Sequence, residues 1–469
     1  MQSAQMQETT NTTYKYLPWL AAMAIFMQSL DGTILITSLP SIAKDMNYSP
    51  LEMQSIIVSY TLTLAIFIPL SGWLSDKFGT KKIFTLAVAI FTLGSLFCAL
   101  SPDLTTLIIS RIIQAIGGSM MVPVARLAIL YAYPKNQLLK VINFMTIPGL
   151  IGPVIGPSLG GFLSDNYSWH WIFLVNLPIG IIGLIFTQKI MPNFTNKVGK
   201  FDLVGLLYFS LALVVFTLLL ELSSVGISSL TLILTLLGLS ILFFILYIKH
   251  SKKTKDPIID LKLFRIRTLR IGLSGSLFTR LGISGIPFLL PLMLQVGFGY
   301  SATIAGLMLL PSALSNVIIK PFVVPLVQKI GYRNILISNT LILAIIIFTF
   351  SFATKETPLF YFIILMVIYG AVNSIQMASM NTISLSDLDN NTASSGNSLL
   401  AIMQQLSMSF GISAAALALS FFKNYSGFIE GDTVTAFKYS FITLGILTAL
   451  STVVFTKLKK NDGNLLSGK

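Results

Sequence analysis

The sequence predicts an all-α, polytopic membrane protein, and three observations carry that expectation. Of 469 residues, 54% are hydrophobic and only 10% charged, against about 25% charged in a soluble domain. The mean hydropathy is +0.82. About 14 apolar runs reach the roughly 20 residues that a helix needs to cross a bilayer. They lie near 17–39, 51–73, 82–100, 104–131, 138–163, 169–189, 203–222, 228–249, 269–296, 302–328, 334–353, 358–385, 394–422 and 436–457.

Charge then orients the runs. The net charge of +14 would suggest a nucleic-acid partner in a soluble chain. Here 23 of the 31 Lys and Arg fall in loops and tails on one side of the membrane and four on the other. Basic loops stay in the cytoplasm, so both termini are expected there and no nucleic acid is implied. The N-terminal stretch is polar to Tyr16 and lacks the pattern of a cleaved signal. With one cysteine, Cys98, and two distant histidines, His170 and His250, neither a disulfide nor a metal site is expected, and no cofactor motif is present.

The most basic loop, 249–270, divides the chain. The expected organisation is a cytoplasmic N-tail (1–16), a six-helix bundle (17–190), two additional transmembrane helices (191–250), a basic cytoplasmic linker (251–268), a second six-helix bundle (269–458) and a cytoplasmic C-tail (459–469). A weak repeat agrees with this division. Trp73-Leu-Ser-Asp-Lys-Phe-Gly79 aligns with Pro325-Leu-Val-Gln-Lys-Ile-Gly331, each after the second helix of its half and each followed by basic residues. Related halves in parallel orientation imply a transporter whose site lies between them.

Taken in order, the first run carries Asp31 about 14 residues in, or ~21 Å at 1.5 Å per residue, and ends at Pro40. The second leaves through Gly72, Asp76, Gly79, Lys81 and Lys82. The fourth carries Arg111, Gln114 and, further on, Arg126. The fifth reads Gly149-Leu-Ile-Gly-Pro-Val-Ile-Gly-Pro-Ser-Leu-Gly-Gly161. Gly152, Gly156 and Gly160 recur every four residues and form one smooth stripe, while Pro153 and Pro157 each remove a backbone donor. A stripe of this kind is either a plain packing face or part of a moving interface. Arg280 sits deep in the ninth run, and Lys320 in the tenth is near enough to the cytoplasm to snorkel. The twelfth and thirteenth runs add Asn373, Gln376, Asn381, Asn397, Gln404 and Gln405, which as a set suggest a wet cavity wall.

Together, in this order, these motifs resemble the major facilitator superfamily, specifically its 14-helix drug:proton antiporter branch. Phe91-Thr-Leu-Gly-Ser-Leu-Phe-Cys-Ala-Leu100, Met120-Met-Val-Pro-Val124 and Ala393-Ser-Ser-Gly-Asn-Ser-Leu-Leu400 are similar to MdtD-like multidrug exporters within it. Two positions depart from the usual pattern: Thr80 replaces a basic residue of the loop after the second helix, and His170 stands where Arg is common. The resemblance implies two six-helix bundles plus two central helices, alternating access, and proton-coupled efflux of small organic molecules. It makes Asp76, Lys81, Lys82, Gly72 and Gly79 a conformational latch, and Gly152 to Gly161 an antiporter-motif helix that favours export. It also links Arg111 and Gln114 to proton transfer or cavity structure.

Intramembrane charges are costly and functional by default. Asp31 and Arg111 lie at similar depths, so Asp31 is read as the proton carrier with Arg111 as its partner; a permanent structural ion pair is the alternative. Arg126 is expected to reach Asp76 in a gate or structural salt bridge. Gln114, Arg280, Asn373, Gln376, Asn397 and Gln404 are expected in the substrate cavity. Four deep cations (Arg111, Arg126, Arg280 and Lys320) against Asp31 alone also favour a second substrate class, an organic anion such as a carboxylate metabolite or siderophore, exported or imported. The expected partners are protons, a small-molecule substrate and lipid. The chain is expected to act as a monomer in a bacterial cytoplasmic membrane, and not as an enzyme, because no nucleophile, base or metal constellation is visible.

Overall fold

The computed structural model describes residues 14–226, 229–388, 392–424, 433–459 and 462–463. Most of the expected N-tail and C-tail therefore lies outside the described residues. The chain runs through α1 (Leu17–Ile34), α2 (Leu39–Met46), α3 (Gln54–Phe78), α4 (Thr80–Ala99), α5 (Leu104–Ala132), α6 (Lys135–Asn166), α7 (Trp171–Ile190), α8 (Leu203–Ser224) and α9 (Leu230–Lys253). It continues through α10 (Arg267–Gly297), α11 (Ala302–Ile330), α12 (Tyr332–Phe352), α13 (Leu359–Leu385), α14 (Ala393–Asn424) and α15 (Thr433–Thr456). Taken as one span, α1 and α2 bring the number to 14 among the described residues.

The expected first run is not one straight helix. It bends by 61° between α1 and α2, with Pro40 in the first turn of α2, where a missing N–H costs nothing. Hydroxyls at the bend turn to α6 instead of to their own helix alone. Thr33 donates to the Gly152 carbonyl (3.3 Å), Thr37 to that of Pro157 (2.8 Å) and Ser38 to that of Gly160 (3.2 Å). Polar bonds of this kind join helices where lipid gives no hydrophobic drive between them.

The packing repeats across the chain. In the first half α1 lies on α6, α3 and α4 on α5, and α4 on α7; in the second, α10 lies on α14, α11 and α12 on α13, and α12 on α15. The two halves meet along α3–α14 and α6–α11, which are themselves equivalent pairs. The aligned loop motifs also share a backbone feature. Gly79 and Gly331 take φ of +101° and +85° at the α3–α4 and α11–α12 turns, a left-handed conformation that glycine adopts without penalty. Outside the bundles, α8 packs on α3 and α14, with α9 behind it. The outer helix exposes Leu230, Leu234, Ile241, Leu242 and Phe244, as a lipid-facing surface should.

Candidate functional site

The α3–α4 turn, the α9–α10 loop and the start of α14 lie at the end of the molecule that carries most of the basic loops. A cavity of about 750 Å³ lies between the halves and reaches that end. Arg111, Tyr60 and Thr33 line its depth, and Gly72, Leu130 and Asn397 line it toward the basic face. The opposite end is closed. There Ile34, Leu39, Ile57 and Phe173 of the first half join Ile286, Phe288, Leu290 and Met308 of the second in one apolar core. Polar contacts seal the same seam: Gln295 donates to the Thr37 carbonyl (3.1 Å), and Asp165 accepts from Ala302 N–H (3.2 Å), Thr303 N–H (2.7 Å) and the Thr303 hydroxyl (2.6 Å).

Asp31 and Arg111 do meet. Arg111 Nη1 lies 2.7 Å from Asp31 Oδ2, and both residues are 1% exposed. The pair is part of a closed network. Arg111 Nη1 also donates to Gln114 Oε1 (2.7 Å), which fixes the amide so that Gln114 Nε2 donates to Asp31 Oδ1 (2.8 Å). Asn176 Nδ2 donates to the same Oδ1 (3.0 Å) and to Ser95 Oγ (3.1 Å). The guanidinium is 4.1 Å from the centre of the Tyr60 ring, a cation–π distance. Three donors converge on one carboxylate. Arg111 and Tyr60 stand between Asp31 and the cavity, and the Tyr60 hydroxyl has no partner among the described residues.

Asn176 and Tyr60 were not singled out as site residues in the sequence. The available signal was weak: Asn176 is a polar residue in an apolar run, and Tyr60 is one of 15 tyrosines. Gln114 belongs to this network, not to the substrate-lining wall where the sequence placed it. Gln376 is likewise corrected. It is fully buried and donates to the Thr340 hydroxyl at 2.8 Å, so it joins α13 to α12. Asn397 and Gln404 do line the cavity, with Gln404 also donating to Asn381 Oδ1 (2.9 Å). Arg280 and Asn373 lie in a smaller adjoining chamber.

The expected Arg126–Asp76 bridge is absent. Asp76 Oδ1 instead accepts from the Tyr131 hydroxyl and Asn196 Nδ2, both at 2.9 Å, and its carbonyl accepts from Asn196 N–H. One turn back from the α5 end that Tyr131 occupies, Arg126 turns into the cavity, where its buried Nε has no partner among the described residues. Lys320 is exposed on α11 and is not among the residues that line either cavity.

Thr80 explains its departure from the usual basic residue. It is buried, donates to the Pro192 carbonyl (2.7 Å) and accepts from Phe194 N–H (2.9 Å), while its own N–H bonds Phe194 O. It thus ties the segment after α7 to the α3–α4 turn, while Lys81 holds the Gln188 carbonyl (2.6 Å) and Lys82 is exposed. Thr80→Val keeps the shape but leaves the half-buried Phe194 N–H without its acceptor, at a cost of about 1–3 kcal/mol. Hydrogen exchange at Phe194 and Asn196 should accelerate by about 5- to 150-fold, since ~1.4 kcal/mol is tenfold; unchanged exchange would rule out this role.

The family model described as Major Facilitator Superfamily matches residues 21–412 and again 272–465. The chain is 44% identical over 444 residues to "Putative multidrug resistance protein MdtD" of Escherichia coli (strain K12), covering 94% of each chain. The protein of that name from Shigella boydii serotype 18 gives the same values. Among solved structures, a D-xylose-proton symporter superposes with a TM-score of 0.69 at 17% identity, over 96% of this chain and 99% of that one.

Proposed function

The chain belongs to the major facilitator superfamily, and from that premise we propose that this secondary transporter exports small organic molecules of the multidrug type in exchange for protons. It works in the bacterial cytoplasmic membrane with both termini and the basic loops inside. The observation that carries the proton coupling is the Asp31–Arg111–Gln114–Asn176 network, held behind Tyr60 at the depth of the cavity. The multidrug class rests on the name of the MdtD relatives.

With the basic face inside, the cavity opens to the cytoplasm. The conformation is then the one that takes up substrate after its proton has left. Substrate fills the cavity, the halves rock about α3–α14 and α6–α11, and the opposite seam opens. Protonation of Asp31 from outside removes its charge and frees Arg111 and the two amides, so that proton binding and substrate release occupy the same half-cycle. The two fluxes are coupled only if substrate and proton are not carried together and the empty carrier does not reorient.

The test is collapse of a preformed pH gradient in inside-out vesicles on adding ethidium and a panel of organic anions. Collapse by at least one compound, absent from vesicles lacking the protein, is expected. No proton movement with any compound that the protein demonstrably carries would leave a facilitator and overturn the antiport reading.

A further inference from the structure

The transmembrane cavities carry positive charge and no negative charge. Among the described residues lining the main cavity and its side chamber are Arg111, Arg126 and Arg280, and not one Asp or Glu. Asp31 answers Arg111 from behind the wall. Arg126 and Arg280 form no ion pair among the described residues. Arg126 and Arg280 are half-buried and face the cavities, and a guanidinium partly withdrawn from water and without a counter-charge is stabilised by an anionic partner that enters the cavity.

Arg280 is the better placed of the two. Its recorded polar contact is Nε donating to the Ser276 hydroxyl of its own helix, at 3.2 Å. That leaves the terminal nitrogens of the guanidinium for another acceptor. The chamber around it has a volume of about 120 Å³ and is otherwise apolar except for Ser284, Asn373 and Tyr369. The Tyr369 hydroxyl is committed to the Ile283 carbonyl (3.0 Å), while the Asn373 amide oxygen has no partner among the described residues, so this side chain can turn its NH2 to an incoming anion without breaking a bond at Oδ1. Ile57 and Met408 line both this chamber and the main cavity, so the two adjoin. The smaller volume has room for a charged head group and a few carbons, whereas the 750 Å³ cavity holds a drug-sized body.

We propose that the Arg280–Asn373 chamber is a docking subsite for the anionic group, carboxylate or sulfonate, of an organic substrate whose apolar body occupies the main cavity. This deepens the export reading above and rests on it. It also divides the labour between the halves. The first half holds the proton on α1 and α5, and the second holds the substrate charge on α10 and α13. A planar guanidinium suits an oxyanion group better than an ammonium does, since it offers parallel N–H donors. An organic cation entering the same space meets Arg126 and Arg280 without a counter-charge.

The experiment uses the full-length protein in lipid nanodiscs and two matched probe pairs, 2-naphthoate with 2-naphthamide and 2-naphthalenesulfonate with 2-naphthalenesulfonamide. Binding is followed by thermal stabilisation across a concentration series. The anions should bind at least about 10-fold more tightly than their neutral twins. Arg280→Gln should remove that preference and leave the neutral probes unchanged, while Arg280→Lys should restore part of it for the carboxylate. Equal binding of charged and neutral twins to the wild type would overturn the proposal. So would an anion preference that survives Arg280→Gln. In inside-out vesicles, collapse of the pH gradient by ethidium with no response to the sulfonate would sink the subsite and leave the antiporter standing. No response to any compound that the protein carries would instead sink the antiport reading.

Discussion

Replacing Asp31 with Asn should abolish proton-coupled transport and also destabilise the protein, and the two effects can be separated. The carboxylate accepts Gln114 and Asn176 on Oδ1 and Arg111 on Oδ2. An Asn amide has one acceptor end. Whichever way it turns, its NH2 meets a donor, and Gln114 cannot flip to help because its own oxygen already accepts from Arg111. The guanidinium is left charged and buried, which costs about 3–5 kcal/mol when one partner of a buried pair is removed. A lower unfolding temperature for Asp31→Asn is therefore expected. Removing both charges, in Asp31→Asn with Arg111→Met, should recover most of that stability, because deleting a whole buried pair is often neutral. Substrate-driven collapse of the pH gradient should be lost in both variants, while downhill substrate flux persists in the double variant. A permanent structural pair predicts the opposite for the double variant: stability and coupling return together. Purified protein for the thermal measurement and inside-out vesicles for the flux decide between them.

The contrast between legible and hidden features follows from what a single sequence encodes. Spans were legible because lipid demands long apolar helices, and each expected run overlaps a helix of the structure within a few residues. The break between α1 and α2 was not, although Pro40 lay in plain view. At the bend, Thr33, Thr37 and Ser38 bond α6 carbonyls 119 to 122 residues away, partners that a local reading of the chain does not contain. The site divides in the same way. Asp31 and Arg111 could be paired from depth alone, because a charge in a membrane is rare enough to stand out. Gln114, Gln376 and Asn176 could not be sorted into cavity wall, bundle interior and proton network, because a neutral polar residue in a span looks the same in all three. Arg126 fails for a related reason. Its depth matched that of Asp76, but rotation about the α5 axis sends it into the cavity and leaves Asp76 to Tyr131 and Asn196.

Rotation about the axis also decides what the glycines of α6 do, and it predicts two different phenotypes from one motif. A Cβ on Gly152, Gly156 or Gly160 would run into α1, at 2.7 Å from Ser29 Cβ, 2.2 Å from Thr33 Oγ1 and 2.0 Å from the Ile34 carbonyl oxygen. Both α1 and α6 belong to the first bundle, so crowding there should cost stability in every orientation of the transporter alike. A Cβ on Gly161 instead meets the second half, 2.2 Å from the Ala302 carbonyl oxygen. Gly306 returns the contact from α11, where a Cβ would lie 2.3 Å from the Pro157 carbonyl oxygen. These are backbone atoms and cannot swing aside. Crowding at the seam penalises only the state in which the seam is shut. Overpacking costs about 1–3 kcal/mol, equivalent to a roughly 5- to 150-fold change in the ratio of the two orientations. Gly161→Ala and Gly306→Ala should therefore favour opening of the end sealed here and slow turnover, with little change in unfolding temperature. Gly160→Ala should lower the unfolding temperature and leave the ratio of orientations unchanged. Spin labels at Tyr167 and Val296, exposed on the two halves beside the seam, in a Cys98→Ala background, read the ratio as two distance populations. If all three substitutions shift the populations equally, or none does, α6 is a uniform packing face and the glycines have no separate roles.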